Sequence, residues 1–374
     1  MNPLGYLGTI VAHTRCHGFS TTVTARTSVR KLGGIRMAKR SHPRRGSMAF
    51  SPRKRSNRQF GRVKSWNNND SEDIRVQGFV GWKAGMTHVL LRDTNPNSNS
   101  AGQEIRKPAT VIEIPALRVL GVRGYGEGSY GLHTLGEVWW DCDEIKENFP
   151  ELFRRVPTRN EHDAESHKAQ LMDADLSEVR LIVATNPNSL SSIPSKTPEI
   201  MEMGLSGGNS KSQLEWSFEQ LGSELEMNSV FDVGSQVDVI GITKGYGWQG
   251  VIRRFGGKLQ SHKNSKKIRQ HGNMGDFGTG YVRKTIRQGG QTGFHQRTEF
   301  NKRILKISNP EEDEITPSGG FLHYGEIKNS YVLIEGSVPG PAKRLVRFRD
   351  AVRPRKKSFP VEITYVSTAS KQGA

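Results

Sequence analysis

Apolar residues in this chain recur in short runs separated by glycine, proline and polar turns, a pattern that predicts many short strands. Residues 74–91, IRVQGFVGWKAGMTHVLL, predict two strands joined by a glycine-marked turn, with 93–102 as the next loop. Residues 110–114 and 117–122 predict two more, with Pro115 marking a bend or edge between them. Residues 179–185 predict a buried strand ended by Asn186 and Pro187, and 237–243, 303–307, 330–334 and 345–348 predict the rest. Helical signals are few. After a turn over 124–131, the acidic stretch 141–155 and residues 161–173 predict helices. A third is predicted over 211–225, where Leu214, Phe218, Leu221 and Leu225 share one face and Gly222 weakens the end.

Many short strands with few helices between them predict a mainly β fold with an α/β insertion, in which a closed antiparallel barrel carries the helices as an inserted lobe over about 124–225. The body is expected over 73–252 and 304–360, with 361–374 as a C-terminal tail. The pattern fails over 253–303, RRFGGKLQSHKNSKKIRQHGNMGDFGTGYVRKTIRQGGQTGFHQRTEFNKR, which has almost no apolar periodicity and lies between two predicted strands. Such a segment buries no core of its own and needs a large partner to lie on.

Charge identifies the partner class. The 374 residues carry a net charge of +18 with a pI near 10.0 and a mean hydropathy of -0.62. The total is uneven: residues 1–66 hold 15 basic side chains and no acid, 244–303 hold 14 against 2, and the span 67–243 is net acidic, 15 against 27. A mildly acidic body therefore carries two strongly basic extensions, the footprint of a nucleic-acid binder. No apolar run approaches the ~18 residues a spanning helix needs, so no membrane partner is expected. Cys16 and Cys142 are the only cysteines, too few for a disulfide framework or a thiolate metal cluster.

Residues 1–36, free of acids and rich in Ser, Thr and Arg, suit an organellar transit peptide or a stretch translated from a misassigned start, and are set outside the fold. Residues 37–72 form a basic arm. Its arginines cluster at Arg44 and Arg45 and again at Arg53, Lys54, Arg55 and Arg58, with Phe50, Phe60 and Trp66 interleaved as rings that splayed bases can stack on. In the second extension the candidate RNA-binding residues are Lys244, Arg253, Arg254, Lys258, Lys263, Lys266, Lys267 and Arg269, then Arg283, Lys284, Arg287, Arg297, Lys302 and Arg303. Gln291 and His295 join them as uncharged hydrogen-bonding groups.

Two motifs within this region invite enzyme readings. Gly245, Gly247 and Gly250 spell a dinucleotide fingerprint after a strand, but the positions about 20 residues on are basic where a ribose-binding acid is required. Asp276-Phe277-Gly278 matches a kinase motif, yet no H-R-D catalytic loop occurs in the chain. His262, His271 and His295 sit among cations with no nucleophile or paired carboxylate at a telling spacing, so no catalytic residues and no enzyme are expected.

Four blocks, GFVGWKAGMTHV from Gly78, VDVIGITKGYGWQGVIRRFG from Val237, GQTGFHQRTEFNKRI from Gly290 and GSVPGPAKRLV from Gly336, resemble the signature blocks of the universal L-three family of large-subunit ribosomal proteins. The arm KRSHPRRGSMAFSPRKRS resembles that of the archaeal type, and the resemblance covers about residues 37–360. It implies a six-stranded barrel of the translation-protein type, with both extensions running into large-subunit ribosomal RNA toward the peptidyl-transferase centre, and early entry into assembly. It also implies neighbouring ribosomal proteins as partners, a cytoplasmic, ribosome-bound location, no small-molecule substrate, and no cofactor beyond Mg2+ held by the RNA. Phe277 matches the position of the aromatic residue at the loop tip. The competing expectation is a free-standing enzyme or regulator that binds nucleic acid.

Overall fold

A computed structural model describes residues 47–67, 72–152, 154–157, 163–264, 266–355 and 359–370. The expectations for residues 1–36, Arg44 and Arg45 lie outside them. In chain order the elements begin β1 (Arg75–Val76), β2 (Gly78–Arg92), β3 (Glu104–Glu113), β4 (Leu117–Gly128) and β5 (Gly131–Trp139). Then come α1 (Cys142–Asn148), α2 (Ala164–Asp173), β6 (Glu178–Ala184), β7 (Ile200–Ser206), α3 (Ser210–Glu219), β8 (Glu224–Leu225) and β9 (Gln236–Ile242). The chain continues through β10 (Trp248–Gln249), α4 (Val251–Phe255), β11 (Gly290–Gln291), β12 (Gln296–Ser308), β13 (Tyr331–Glu335), β14 (Leu345–Asp350) and β15 (Glu362–Val366). They fall into two compact units: Arg53–Gly247 with Thr292–Ala374, and Met1–Pro52 with Trp248–Gln291.

The larger unit is built on two antiparallel sheets. One has the order β14-β9-β12-β13-β3-β2-β15, and β14 pairs β2 as well as β9. Phe79, Val80, Ile112, Val239, Ile304, Leu333 and Phe348 from these strands are withdrawn from solvent and form the centre of the core. The other sheet runs β1-β7-β6-β4-β5, with β8 beside β4. A second cluster on it, including Leu120, Trp139 and Ile182, packs with Ile145 of α1 and with Leu152.

Several boundaries differ from the pattern-based expectation. The two strands expected over 74–91 are almost wholly one, β2, because its glycines serve close packing and not a turn. A Cβ at Gly85 would lie 2.6 Å from the Phe321 ring, and one at Gly81 2.7 Å from Ile112. The bend appears only as a register shift between Lys83 and Gly85. The 124–225 lobe is as much sheet as helix. Residues 117–139 form the β4–β5 hairpin, and β7 lies where no strand was expected.

The helix expected over 141–155 stops at Asn148, one residue before Phe149 and Pro150, since a residue preceding proline is held out of helical geometry. Asp163 caps α2 by accepting the Glu165 N–H at 3.2 Å. α3 ends before Gly222, whose φ of 77° is left-handed. The strand expected from residue 303 begins at Gln296, and the expected tail contains β15, paired with β2. No described helix is long and apolar enough to cross a membrane.

Two buried carboxylates organise the strand ends. Asp238 on β9, fully buried, accepts from Arg349 Nη2 at 2.9 Å, the Asn301 N–H at 3.1 Å and the Val352 N–H at 3.2 Å. Glu113 on β3 accepts from the Tyr324 hydroxyl at 2.5 Å, both the N–H and Nδ2 of Asn329, and the Lys328 N–H. Each carboxylate has several donors, the condition under which a buried charge is tolerated.

Candidate nucleic-acid interface

The unit that contains Trp248–Gln291 starts from a short ladder, with Trp248 opposite Gln291 and Gln249 opposite Gly290. Beyond it, the five residues of α4 end at Gly256, whose φ of 67° closes the turn. Arg254 donates from Nε to the Gln291 carbonyl at 3.1 Å and from Nη1 to the Gln288 carbonyl at 3.0 Å, and a Cβ at Gly290 would lie 2.9 Å from its guanidinium. Arg254, expected among the RNA-binding residues, thus braces the backbone of this basic finger, residues 248–291. Burial of that guanidinium lowers its pKa.

Beyond this brace the cations face solvent. Arg253, Lys258, Lys263, Lys266, Lys267, Arg269, Arg283 and Lys284 are exposed, while Arg287 and Gln291 are half-buried. No ion pair within the described residues engages the side chains of Lys263, Lys266, Lys267 and Arg269. Residues 273–279 form a self-bonded turn: Asn273 Oδ1 accepts the Gly275 N–H at 2.9 Å, and Asp276 Oδ1 accepts the Gly278 N–H at 3.2 Å. The Thr279 hydroxyl donates to the Asp276 carbonyl at 3.2 Å. Asp276, an acid in a basic finger, is therefore a turn-former, and Phe277 opens the single 3-10 turn Phe277–Thr279.

In the larger unit, the arm lies along the start of β12. The Ser56 N–H donates to the Phe294 carbonyl at 2.8 Å, His295 Nδ1 meets the Lys54 carbonyl at 2.8 Å, and Gln296 Nε2 donates to the Arg62 carbonyl at 2.7 Å. Phe294 is held between the guanidiniums of Arg55 and Arg344, each 5.1 Å from its ring centre. His295, expected among the RNA-binding residues, is buried at this seam, where its ring meets the arm backbone. The interleaved aromatics divide. Phe60 and Trp66 pack on the core, and a Cβ at Gly204 would lie 2.4 Å from the Trp66 ring, so that surface is bared by glycine to receive it. Phe50 is 80% exposed.

Lys54, Arg55, Arg58, Lys244 and Arg297 are exposed and Arg53 is half-buried. Arg303 is turned inward, its Nη2 donating to the carbonyls of Phe359 and Pro360. Lys302 pairs with Glu299 at 3.6 Å. The structure also reveals exposed aromatics the sequence reading did not single out: Trp248 at 80% and Tyr281 at 70% in the finger unit, and Tyr246 in the larger one. Aromatics interleaved with cations were the available signal. Rings in such settings stack on bases at about 1–3 kcal/mol each.

The glycine fingerprint binds no dinucleotide in the expected way, since only five helical residues follow it. Among the described residues no group of three or more His, Cys, Asp or Glu is placed to hold a metal ion. Cys142 is buried and unpaired, and burial pushes its thiol pKa up, away from reactivity.

Comparison with known proteins gives a consistent answer. The model of the family described as ribosomal protein L3 matches residues 37–373. Large ribosomal subunit protein uL3 of Archaeoglobus fulgidus is 46% identical over 334 residues, covering 88% of this chain and 98% of that protein. The proteins of the same name from Methanocaldococcus jannaschii and Haloarcula marismortui are 45% and 43% identical, covering 89% and 90% of this chain and 98% and 100% of their own lengths.

Proposed function

The chain belongs to the ribosomal protein L3 family, and from that premise we propose that it binds large-subunit ribosomal RNA directly through its arm and finger, enters assembly early, and supports the region near the peptidyl-transferase centre. The family is one of structural ribosomal proteins of the large subunit and not of enzymes. One observation carries the RNA-binding reading: the run of exposed cations from Lys258 to Lys284, with Asp276, the one acid in that run, already committed to its own turn. Composition of this kind binds by neutralising phosphates.

The finer architectural reading is a closed six-stranded barrel of the translation-protein type. The pairing of β14 with β2, the first and last strands of the six-strand order β14-β9-β12-β13-β3-β2, supports it. Phe277 is assigned to the tip because it stands where the family's loop-tip aromatic is expected, and the turn it opens is held by the Asp276 carboxylate. Neighbouring subunit proteins are its further partners, and Mg2+ enters only through the RNA.

Sedimentation in high salt tests the reading. The protein should travel with the large subunit, and a chain found mainly in the soluble fraction would overturn it. Phe277→Ala should leave the body folded but alter peptide-bond formation or antibiotic response. Normal behaviour of purified variant subunits in both assays would remove the tip from the argument. Replacing Arg44, Arg45, Arg53 and Arg55 together should slow assembly, read as a deficit of mature large subunits.

A further inference from the structure

A cavity of about 580 Å3 in the larger unit lies between arm residues 56–66 and strands of both sheets. Its size falls within the roughly 300–1,000 Å3 of sites that enclose small organic groups. One wall is apolar, with Ile182, Met201 and the half-buried Phe60. Arg347 of β14 lines it and is 7% exposed, yet its guanidinium makes no hydrogen bond or ion pair within 4 Å to any described residue; it rests only on the Phe60 ring, 5.3 Å from the ring centre. The other acid and cation inside are already matched. Glu202 accepts from Arg180 Nη1 and the Tyr125 hydroxyl, each at 2.9 Å, and from Arg123, which also pairs with Glu137 at 2.6 Å. Glu199 and Glu202 attract Arg347 only through space.

A buried guanidinium without a bonded carboxylate is costly, and it cannot escape by losing its proton: burial lowers its pKa only to about 10. The missing partner is therefore an anion. Arg58 and Arg62, both exposed, stand on the same cavity lining and continue the basic line of Lys54 and Arg55. A polyanionic strand following the arm meets all of these charges in turn, whereas a single peptide carboxylate answers only one of the three cations Arg58, Arg62 and Arg347.

Resting on the RNA-binding reading above, we propose that this cavity receives one nucleotide swung out of the large-subunit RNA, its phosphate drawn to Arg347 between Arg58 and Arg62 and its base laid against Phe60, Ile182 and Met201. The swung-out geometry follows from the recess: Arg347 is only 7% exposed within this half-open cavity, beyond the reach of a nucleotide held in a stacked duplex. The arm then does more than neutralise charge: it forms one wall of a site that selects a particular point on the RNA.

The test uses purified large subunits containing wild-type protein, Arg347→Met, Arg347→Lys, or Arg58→Ala combined with Arg62→Ala, probed by acylation of ribose 2'-hydroxyls at single-nucleotide resolution. One RNA position should gain reactivity several-fold in Arg347→Met and in the double variant, with partial rescue in Arg347→Lys, while protections elsewhere stay as in wild type. Unchanged reactivity in Arg347→Met subunits overturns the proposal, as does a cross-link showing that a segment of a neighbouring protein fills the cavity. Should Arg347→Met fail to fold or to enter subunits, the double variant, altered only at exposed side chains, decides by the same readout. If wild-type protein sediments apart from the subunit, the RNA-binding reading fails and the proposal falls with it; if it sediments with the subunit but no position responds, only the cavity proposal fails.

Discussion

Lys263, Lys266, Lys267 and Arg269 offer a quantitative handle on the finger, because all four are exposed and without an ion pair within the described residues. Replacing them together with Gln removes four cations without touching the core or the Arg254 brace. Each phosphate neutralised contributes about 0.7–0.9 to the slope of log affinity against log salt, so the variant's slope should be shallower by about 2.8–3.6. Over a fourfold rise in salt, wild-type protein should then lose roughly 50- to 150-fold more affinity than the variant. Filter binding of the full chain to large-subunit RNA across a salt series measures this, with urea denaturation as a folding control. A slope within about half a unit of wild type would show that these side chains do not meet phosphates and would refute the assignment of the finger as an electrostatic RNA contact.

Arg349→Met leaves the buried Asp238 carboxylate with two N–H donors and no cation, and should cost about 3–5 kcal/mol in urea denaturation; a loss below about 1 kcal/mol would mean that the two N–H groups suffice. Gly293, at the junction of the arm seam, has a φ of 73°, and a Cβ there would lie 2.0 Å from the Lys244 carbonyl oxygen. Gly293→Ala should therefore lower stability by at least about 1–3 kcal/mol, seen as a reduced melting temperature, and an unchanged one would refute the clash. Asp93 is held at a pKa of about 2 by the hydroxyls of Ser100 and Ser98 and by the Asn95 N–H. Because this folded value is depressed, the stabilisation is present above the usual carboxylate range and is lost as pH falls toward 2. Ser100→Ala should move the carboxyl titration, followed by NMR, back up toward 3.8; an unmoved titration would show the hydroxyl is not the cause.

The basic extensions were legible because charge density is a property of local sequence. The body's strands announced themselves by apolar runs at 110–114, 179–185 and 237–243, all of which lie within or almost within observed strands. What escaped depends on distant partners. The first half of β12 is polar, with Arg297 and Glu299 exposed, so only its pairing with β9 makes it a strand. β7, IMEMGLS, carries too mixed a pattern to be recognised, yet it lies between β1 and β6. Among the arginines, nothing in residue type separates Arg269, which faces solvent, from Arg254 and Arg303, whose guanidiniums hold backbone carbonyls. Arg347 was overlooked because it lies outside both extensions, on a strand whose neighbours are apolar.

The order of β9 in the larger sheet has a kinetic consequence. Its two partners, β12 and β14, both lie C-terminal to it, and residues 243–295 must be synthesised before the nearer one begins. The equilibrium cost of that long closure is modest, since doubling a loop adds only about 0.6 kcal/mol. The delay is the larger matter. During synthesis β9 emerges with both edges unpaired, an apolar strand followed by a segment that cannot cover it, and such edges are templates for association with other chains. Any contact that holds residues 243–295 while β12 and β14 are still being made would shorten that exposure.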